Sequence, residues 1–175
     1  VNEKMFAELA AGELDIVIGL IPAREAAPTL EHTHLYPETL CAVVGRSHPL
    51  ATSGAVDKSQ LATMDWILPV SQSEARHAAV RFFHELGMPT PPRIIESVSI
   101  MTNIGLLVDS RMIGLMPFNM ARKFVHLGLL SVLPLGQQFP FGNVGYTVAK
   151  GRAITPANQR LIMALHDVAA DAHSN

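Results

Sequence analysis

A single cysteine, Cys41, stands in 175 residues, so neither an internal disulfide nor a cysteine-rich zinc site is available. No run of Lys or Arg exceeds two residues, and the formal net charge is −2 at pH 7. That leaves no electrostatic footprint for a nucleic-acid backbone. No apolar run is long enough to span a bilayer, and residues 1–9 lack the apolar centre of a signal peptide. A cytoplasmic chain with a reduced thiol and no membrane contact is expected. The first residue is Val1 rather than Met, which points to a piece of a longer protein. Gly-x-Ser-x-Gly elbows, His-Glu-x-x-His helices and phosphate-binding loops are missing as well. No catalytic residue, no cofactor and no metal ligand is therefore expected. Glu31-His32-Thr33-His34 comes nearest to a metal motif, since His32 and His34 share a face of a strand. Without a third ligand at fixed spacing, exposed strand histidines explain it better.

What is present is apolar. Hydrophobic residues make up 49% of the chain, enough for one ordinary domain or two small lobes. Asn2 is placed to cap a helix over residues 3–11, with Met5, Phe6 and Leu9 on one face and Gly12 as its stop. Residues 14–18 read as a buried strand, 30–36 as an extended segment and 39–44 as a β-branched strand. Cys41 lies inside the last of these, which predicts a buried, inert thiol. Asp57 caps a short helix through Leu61.

Residues 64–86 organise the rest. They run from a buried strand at 66–68 through Pro69 and a polar corner at 71–73 into an amphipathic helix. Ala75, Ala78, Ala79, Phe82, Phe83 and Leu86 form its inner face, and Gly87 is its stop. The unit repeats as a strand at 93–98, a cap at Ser99 and a helix at 100–108 with Ile100, Ile104, Leu107 and Val108 inward. A strand at 112–116 follows, then a short helix capped by Asn119. Strands are predicted at 130–135 and 144–149, with a loop at 136–142 between them. Thr155-Pro156 opens a last helix to about residue 170, its inner face Leu161, Ile162, Leu165 and Val168. Strands alternating with helices of this length argue a parallel-rich α/β sheet. In such sheets ligands bind where strands end and helices begin.

Three stretches carry a resemblance: Leu9-Ala-Ala-Gly-Glu-Leu-Asp-Ile-Val-Ile-Gly19, residues 40–50 with their Ser-His-Pro-Leu end, and Ser110-Arg-Met-Ile-Gly-Leu-Met-Pro117. In that order they resemble the effector-binding domain of LysR-type transcriptional regulators. The nearest subgroup is the one named after the regulator of a galactose-binding protein, close to regulators of protocatechuate catabolism. The resemblance implies a type 2 periplasmic-binding-protein-like α/β fold, two lobes joined by two crossover strands. Lobe I would be residues 1–43 with 146–175 and lobe II residues 44–145. The family's winged helix-turn-helix, its linker helix and the first strand and helix of lobe I would be missing, leaving lobe I incomplete with unpaired sheet edges.

By position in the family, an inter-lobe effector cleft implicates Asn2, Leu20 and Ile21 from lobe I. From lobe II it implicates Pro69, Val70, Ser71, Gln72, Val98, Ser99 and Pro117. Ser71 and Ser99 matter most, each heading a helix whose free N–H groups suit a carboxylate or sugar hydroxyl. As plain caps, each would instead contribute only about 1 kcal/mol of stability, and Ser73 is read as such a plain cap. Arg24, Arg76 and Arg81 are the available counter-ions for an acidic effector, although lone arginines are more often solvated. The expected function is effector sensing in a bacterial transcription factor. A sugar or a small organic or aromatic acid would bind between the lobes, and DNA would be contacted only through the missing N-terminal domain. A homodimer or tetramer through lobe I to lobe II contacts is implied, the helix at 73–86 packing on a partner. The alternative is the solute-binding receptor of an ABC-type transporter.

Overall fold

The structure, a computed structural model, describes residues 2–22 and 27–173. The chain divides into two compact units. Unit 1 takes residues 1–38 and 142–175, and unit 2 takes residues 39–141. Two strands, β2 (Leu30–Gly45) and β7 (Phe139–Ala149), each begin in one unit and end in the other.

Unit 2 is built on β3 (Trp66–Leu68), β4 (Ile94–Glu96), β5 (Ile113–Pro117) and β6 (Leu130–Val132), together with the second half of β2. β3 lies parallel to both β4 and β5, whereas β5 and β6 run antiparallel to β2. Alternation along these strands sorts their side chains onto two faces, as a period of two requires. Leu40, Ala42, Val44, Trp66, Leu68 and Ile113 pack on one side, against Phe82 and Phe83 of α3 (Glu74–Glu85). Cys41, Val43, Ile67 and Met116 pack on the other, against Ile104 and Leu107 of α4 (Ile100–Asp109) and Ala121 of α5 (Phe118–His126). The result is helix, sheet, helix.

Within the first layer Trp66 meets Phe83 at 4.8 Å between ring centroids, and Phe82 meets Phe139 at 4.2 Å. The indole N–H donates to the carbonyl of Leu61 at 3.1 Å, so the burial of Trp66 strands no donor. Of the expected inner face of α3, Ala78, Ala79, Phe82, Phe83 and Leu86 are buried, while Ala75 is only half-buried. Gly87 follows at φ +70°, the left-handed stop that an L side chain resists. Asp57 caps α2 (Lys58–Thr63) through a 2.9 Å bond from the Ser59 amide.

Unit 1 holds α1 (Asn2–Ala11), β1 (Ile16–Ile21), the first half of β2, most of β7 and α6 (Pro156–His173). β1 is antiparallel to β7 from Ile16↔Val148 to Ile21↔Asn143. Its apolar centre is small, formed by Leu9, Val17 and Leu30 with Met5, Phe6 and Leu14 against them. Thr155 supports the start of α6, its hydroxyl accepting from the Asn158 amide at 3.2 Å.

Several expectations need correction. The segments at 30–36 and 39–44 are one 16-residue strand that runs through Pro37. Proline weakens a strand only where its missing N–H is needed, and Pro37 sits just before β2 passes from unit 1 to unit 2. The expected loop at 136–142 is largely strand, because β7 begins at Phe139. Asn2 is the first residue of α1 rather than the cap before it. Asn119 lies inside α5, which starts at Phe118 with Pro117 in the cap position. On α4, Ile100 is exposed while Ile104 and Leu107 are buried. On α6, Ala169 is buried whereas Leu161 and Val168 are exposed. A stripe four apolar residues wide exceeds what the described part of unit 1 covers.

Candidate functional site

Three strands of unit 2 end on one edge. Leu68 stands beside Glu96 in the parallel β3 and β4 pair, and the amide of Ser97 donates to the Leu68 carbonyl at 3.0 Å. Ile67 stands beside Gly114 in the β3 and β5 pair, so Pro117 reaches the same edge. Parallel neighbours lie about 4.8 Å apart. The connections after β3, β4 and β5 are thereby gathered together, which places Pro69, Val70, Ser71, Gln72, Val98, Ser99 and Pro117 on one rim.

The cap of α3 is Ser73, not Ser71. Ser73 Oγ accepts from the Arg76 amide at 3.1 Å and donates to the Val70 carbonyl at 2.8 Å. Ser71 sits two residues earlier, in an exposed turn, with its hydroxyl donating to Glu96 Oε2 at 3.5 Å. Between them Gln72 takes φ +67°, the sole non-glycine with positive φ among the described residues. Holding an L side chain there costs on the order of 1 kcal/mol. Ser99 does cap α4, as expected. Its Oγ accepts from the Thr102 amide at 3.3 Å and from the Thr102 hydroxyl at 2.9 Å. The Ser99 amide in turn donates to Ser97 Oγ at 3.2 Å. Val70 and Val98 are exposed between these hydroxyls.

Arg76, in the first turn of α3, is already engaged. Its Nη1 donates to the Pro69 carbonyl at 2.6 Å and pairs with Glu96 Oε1 at 3.1 Å. Glu96, Ser97 and Thr102 are the rim residues that sequence reasoning missed. Glu96 ends a strand and looks like any solvated strand carboxylate. Its partner Arg76 is remote in sequence, and only the pairing of β3 with β4 brings the two together. Arg81 is exposed on α3, and Arg24 lies outside the described residues.

In unit 1, Leu20 and Ile21 end β1 opposite Val144 and Asn143 and are half-buried, and Asn2 begins α1. His32 is more than an exposed strand histidine. Its Nδ1 lies 2.7 Å from Thr147 Oγ1, and its ring faces Phe6 at 5.8 Å. Burial, reinforced by neighbouring His34, pushes the His32 pKa down. Cys41 is buried, with Sγ 3.6 Å from the Met116 carbonyl. No group of three or more potential metal ligands occurs among the described residues. The rim segments 69–76, 96–102 and 117–121 contain no histidine or cysteine.

The family model described as the LysR substrate binding domain matches residues 1–170. This chain belongs to that family. Among curated relatives it is 25% identical over 155 residues to the HTH-type transcriptional regulator GbpR of Azospirillum brasilense, covering 88% of this chain and 45% of that protein. It is 27% identical over 170 residues to the HTH-type transcriptional regulator PcaQ of Agrobacterium fabrum, covering 97% and 55%. The chain thus spans about half the length of the curated relatives it matches. Those relatives are regulators by name, which points away from catalysis. Among solved structures, the BenM effector binding domain with its effector benzoate superposes at a TM-score of 0.71 and 20% identity, covering 99% of this chain and 77% of that one. The fold of this LysR domain is accordingly the type 2 periplasmic-binding-protein-like α/β fold of its relatives. No helix among the described residues is long and apolar enough to cross a membrane.

Proposed function

We propose that this domain is the effector sensor of a bacterial LysR-type transcription factor. Units 1 and 2 serve as its two lobes, and a small molecule bound by both biases their arrangement. That bias passes to a winged helix-turn-helix carried elsewhere in the full-length protein, in the cytoplasm. A ligand does this only by binding one arrangement better than the other. The observation that carries the reading is the rim of unit 2, where the ends of three strands gather Ser71, Ser97 and Ser99 beside exposed Val70 and Val98. Hydroxyls next to apolar side chains suit a small polar organic molecule. Leu20, Ile21 and Asn2 are the residues of unit 1 proposed to complete the site. A homodimer or tetramer through lobe I to lobe II contacts is part of the same proposal, with α3 as the unit 2 face. A solute-binding receptor is disfavoured, because the curated relatives are named transcriptional regulators.

Calorimetric titration of the full-length parent with neutral sugars and aromatic acids tests the reading, with the Ser71→Ala, Ser99→Ala double variant alongside. Loss of affinity in the variant is expected; equal affinity removes these serines from the site. Light scattering checks the assembly, and a strict monomer counts against α3 as an interface.

A further inference from the structure

The end of unit 2 opposite the rim carries a second surface. We infer that it docks an acidic segment of a partner protein, one that brings apolar side chains along with its carboxylates.

Strand register fixes the place. Leu40 of β2 stands opposite Pro117 at the rim, whereas Gly45, the last residue of β2, stands opposite Leu130. By the rise of an extended strand, that end lies roughly 17 Å from the rim. There the Arg46 amide donates to the Leu129 carbonyl at 3.0 Å, and Arg46, Ser47, Val108, Gly128 and Leu129 line an open groove of about 410 Å³. Gly128 follows α5 at φ +72°, and Arg46 Nη1 lies 2.8 Å from where a Cβ at that position would sit. The guanidinium thus rests at the carboxyl end of α5, which favours a cation.

Two properties of this surface name its partner. Val125, Leu127 and Leu129 are 40%, 65% and 37% exposed on the turn that leaves α5, beside the groove. Cations surround them. Lys123 lies one turn before Leu127, and Arg111 reaches the same edge because its carbonyl meets His48 Nε2 at 3.2 Å in the turn after Gly45. Arg46, Arg111 and Lys123 are all exposed, and none is in an ion pair among the described residues. Of the adjoining acids, Asp65 is taken by Arg93, which leaves Asp109. The chain has no further acidic residue until Asp167, so β5, α5, β6 and β7 add none.

Exposed apolar side chains rimmed by unpaired cations suit a protein segment that carries both carboxylates and apolar groups. A nucleic-acid backbone would leave Leu127 and its neighbours in water. A two-fold dimer would lay the patch on itself and set these cations against their own like charges.

The test measures fluorescence anisotropy of labelled probes with the full-length parent. They are an amphipathic peptide of leucine and glutamate, its leucine and lysine counterpart, and polyglutamate. The first should bind about tenfold more tightly than the second, and more tightly than polyglutamate by a few fold. Arg46→Glu and Lys123→Glu should each weaken it about fivefold, and Leu127→Ser by a similar factor with polyglutamate unaffected. Arg160→Glu, the same charge change on exposed α6, should leave it unchanged. The altered side chains are exposed, so urea midpoints should match wild type. Equal binding of the two leucine peptides overturns the inference, as does a loss in Arg160→Glu as large as in Arg46→Glu. So does peptide binding that survives both Arg46→Glu and Leu127→Ser. If Arg46→Glu instead weakens binding to phosphatidylglycerol vesicles or to nonspecific duplex DNA, or abolishes self-association, the surface serves lipid, nucleic acid or a second copy, and the inference fails.

Discussion

Phe82→Ala tests the packing that holds the candidate site in place. Phe82 is buried and meets Trp66 at 6.2 Å, Phe83 at 5.4 Å and Phe139 at 4.2 Å between centroids. It couples α3 to β3, to the start of β7 and to the indole that fills the base of the sheet. Truncation removes a whole ring and leaves a cavity walled by rigid aromatics that collapse poorly, so the cost should lie at about 3–5 kcal/mol. Against a typical domain stability of about 5–15 kcal/mol, that is a large fraction. Trp66 is the only tryptophan in the chain, so its emission during urea unfolding reports on this layer of unit 2. The expected result is a midpoint shifted far down with an unchanged slope. Phe82→Leu, which keeps most of the volume, should lose less than half as much. A Phe82→Ala loss under about 1 kcal/mol would refute the reasoning, because it would mean that this layer is not close-packed.

Three further outcomes follow from the same structure. A Cβ at Gly45 would strike the backbone carbonyl of Leu107, which cannot swing aside as a side chain can, so Gly45→Ala should cost about 2–3 kcal/mol in the same urea assay. His48 is buried, with Nδ1 accepting from the Leu50 amide at 3.0 Å and Nε2 donating to the Arg111 carbonyl at 3.2 Å. That arrangement requires the neutral ring, and burial holds its pKa below the ordinary value. Its contribution is thus fully present above the unfolded pKa, about 6.5, and is lost as pH falls from there through the depressed folded value. Stability measured at pH 7.5 and 5 should fall more steeply for wild type than for His48→Asn. Ser99→Ala should lose about 1 kcal/mol with its cap, whereas Ser71→Ala should lose no more than about 0.5 kcal/mol. Equal losses would contradict the assignment of the cap to Ser73.

About half of the candidate site is legible in the sequence. Ser99 is readable because a lone hydroxyl directly before an apolar helical run has one obvious use. Ser71 is easily mistaken for a cap because three polar residues precede α3, and spacing alone does not choose among them. Ser73 takes the role once Gln72 turns left-handed and brings the Ser73 hydroxyl onto the Arg76 amide. Arg76 reads as a free counter-ion for a related reason, since its partner Glu96 is not a sequence neighbour.

By itself, then, the sequence determined what depends on local period and local sterics. The alternation of Leu40 to Val44 and of Trp66 to Leu68, the buried stripe of α3 from Ala78 to Leu86, and the left-handed stops at Gly12 and Gly87 all belong there. Three short motifs in order also carried the family. Tertiary structure alone decided what depends on which strands become neighbours. That β2 runs unbroken through Pro37, and that the expected face of α6 is only partly covered, follow from where other elements lie. The parallel pairing of Leu68 with Glu96 belongs there too, because it brings the Glu96 carboxylate onto Arg76. A whole helix, α3, separates the two strands along the chain, and no local reading spans it.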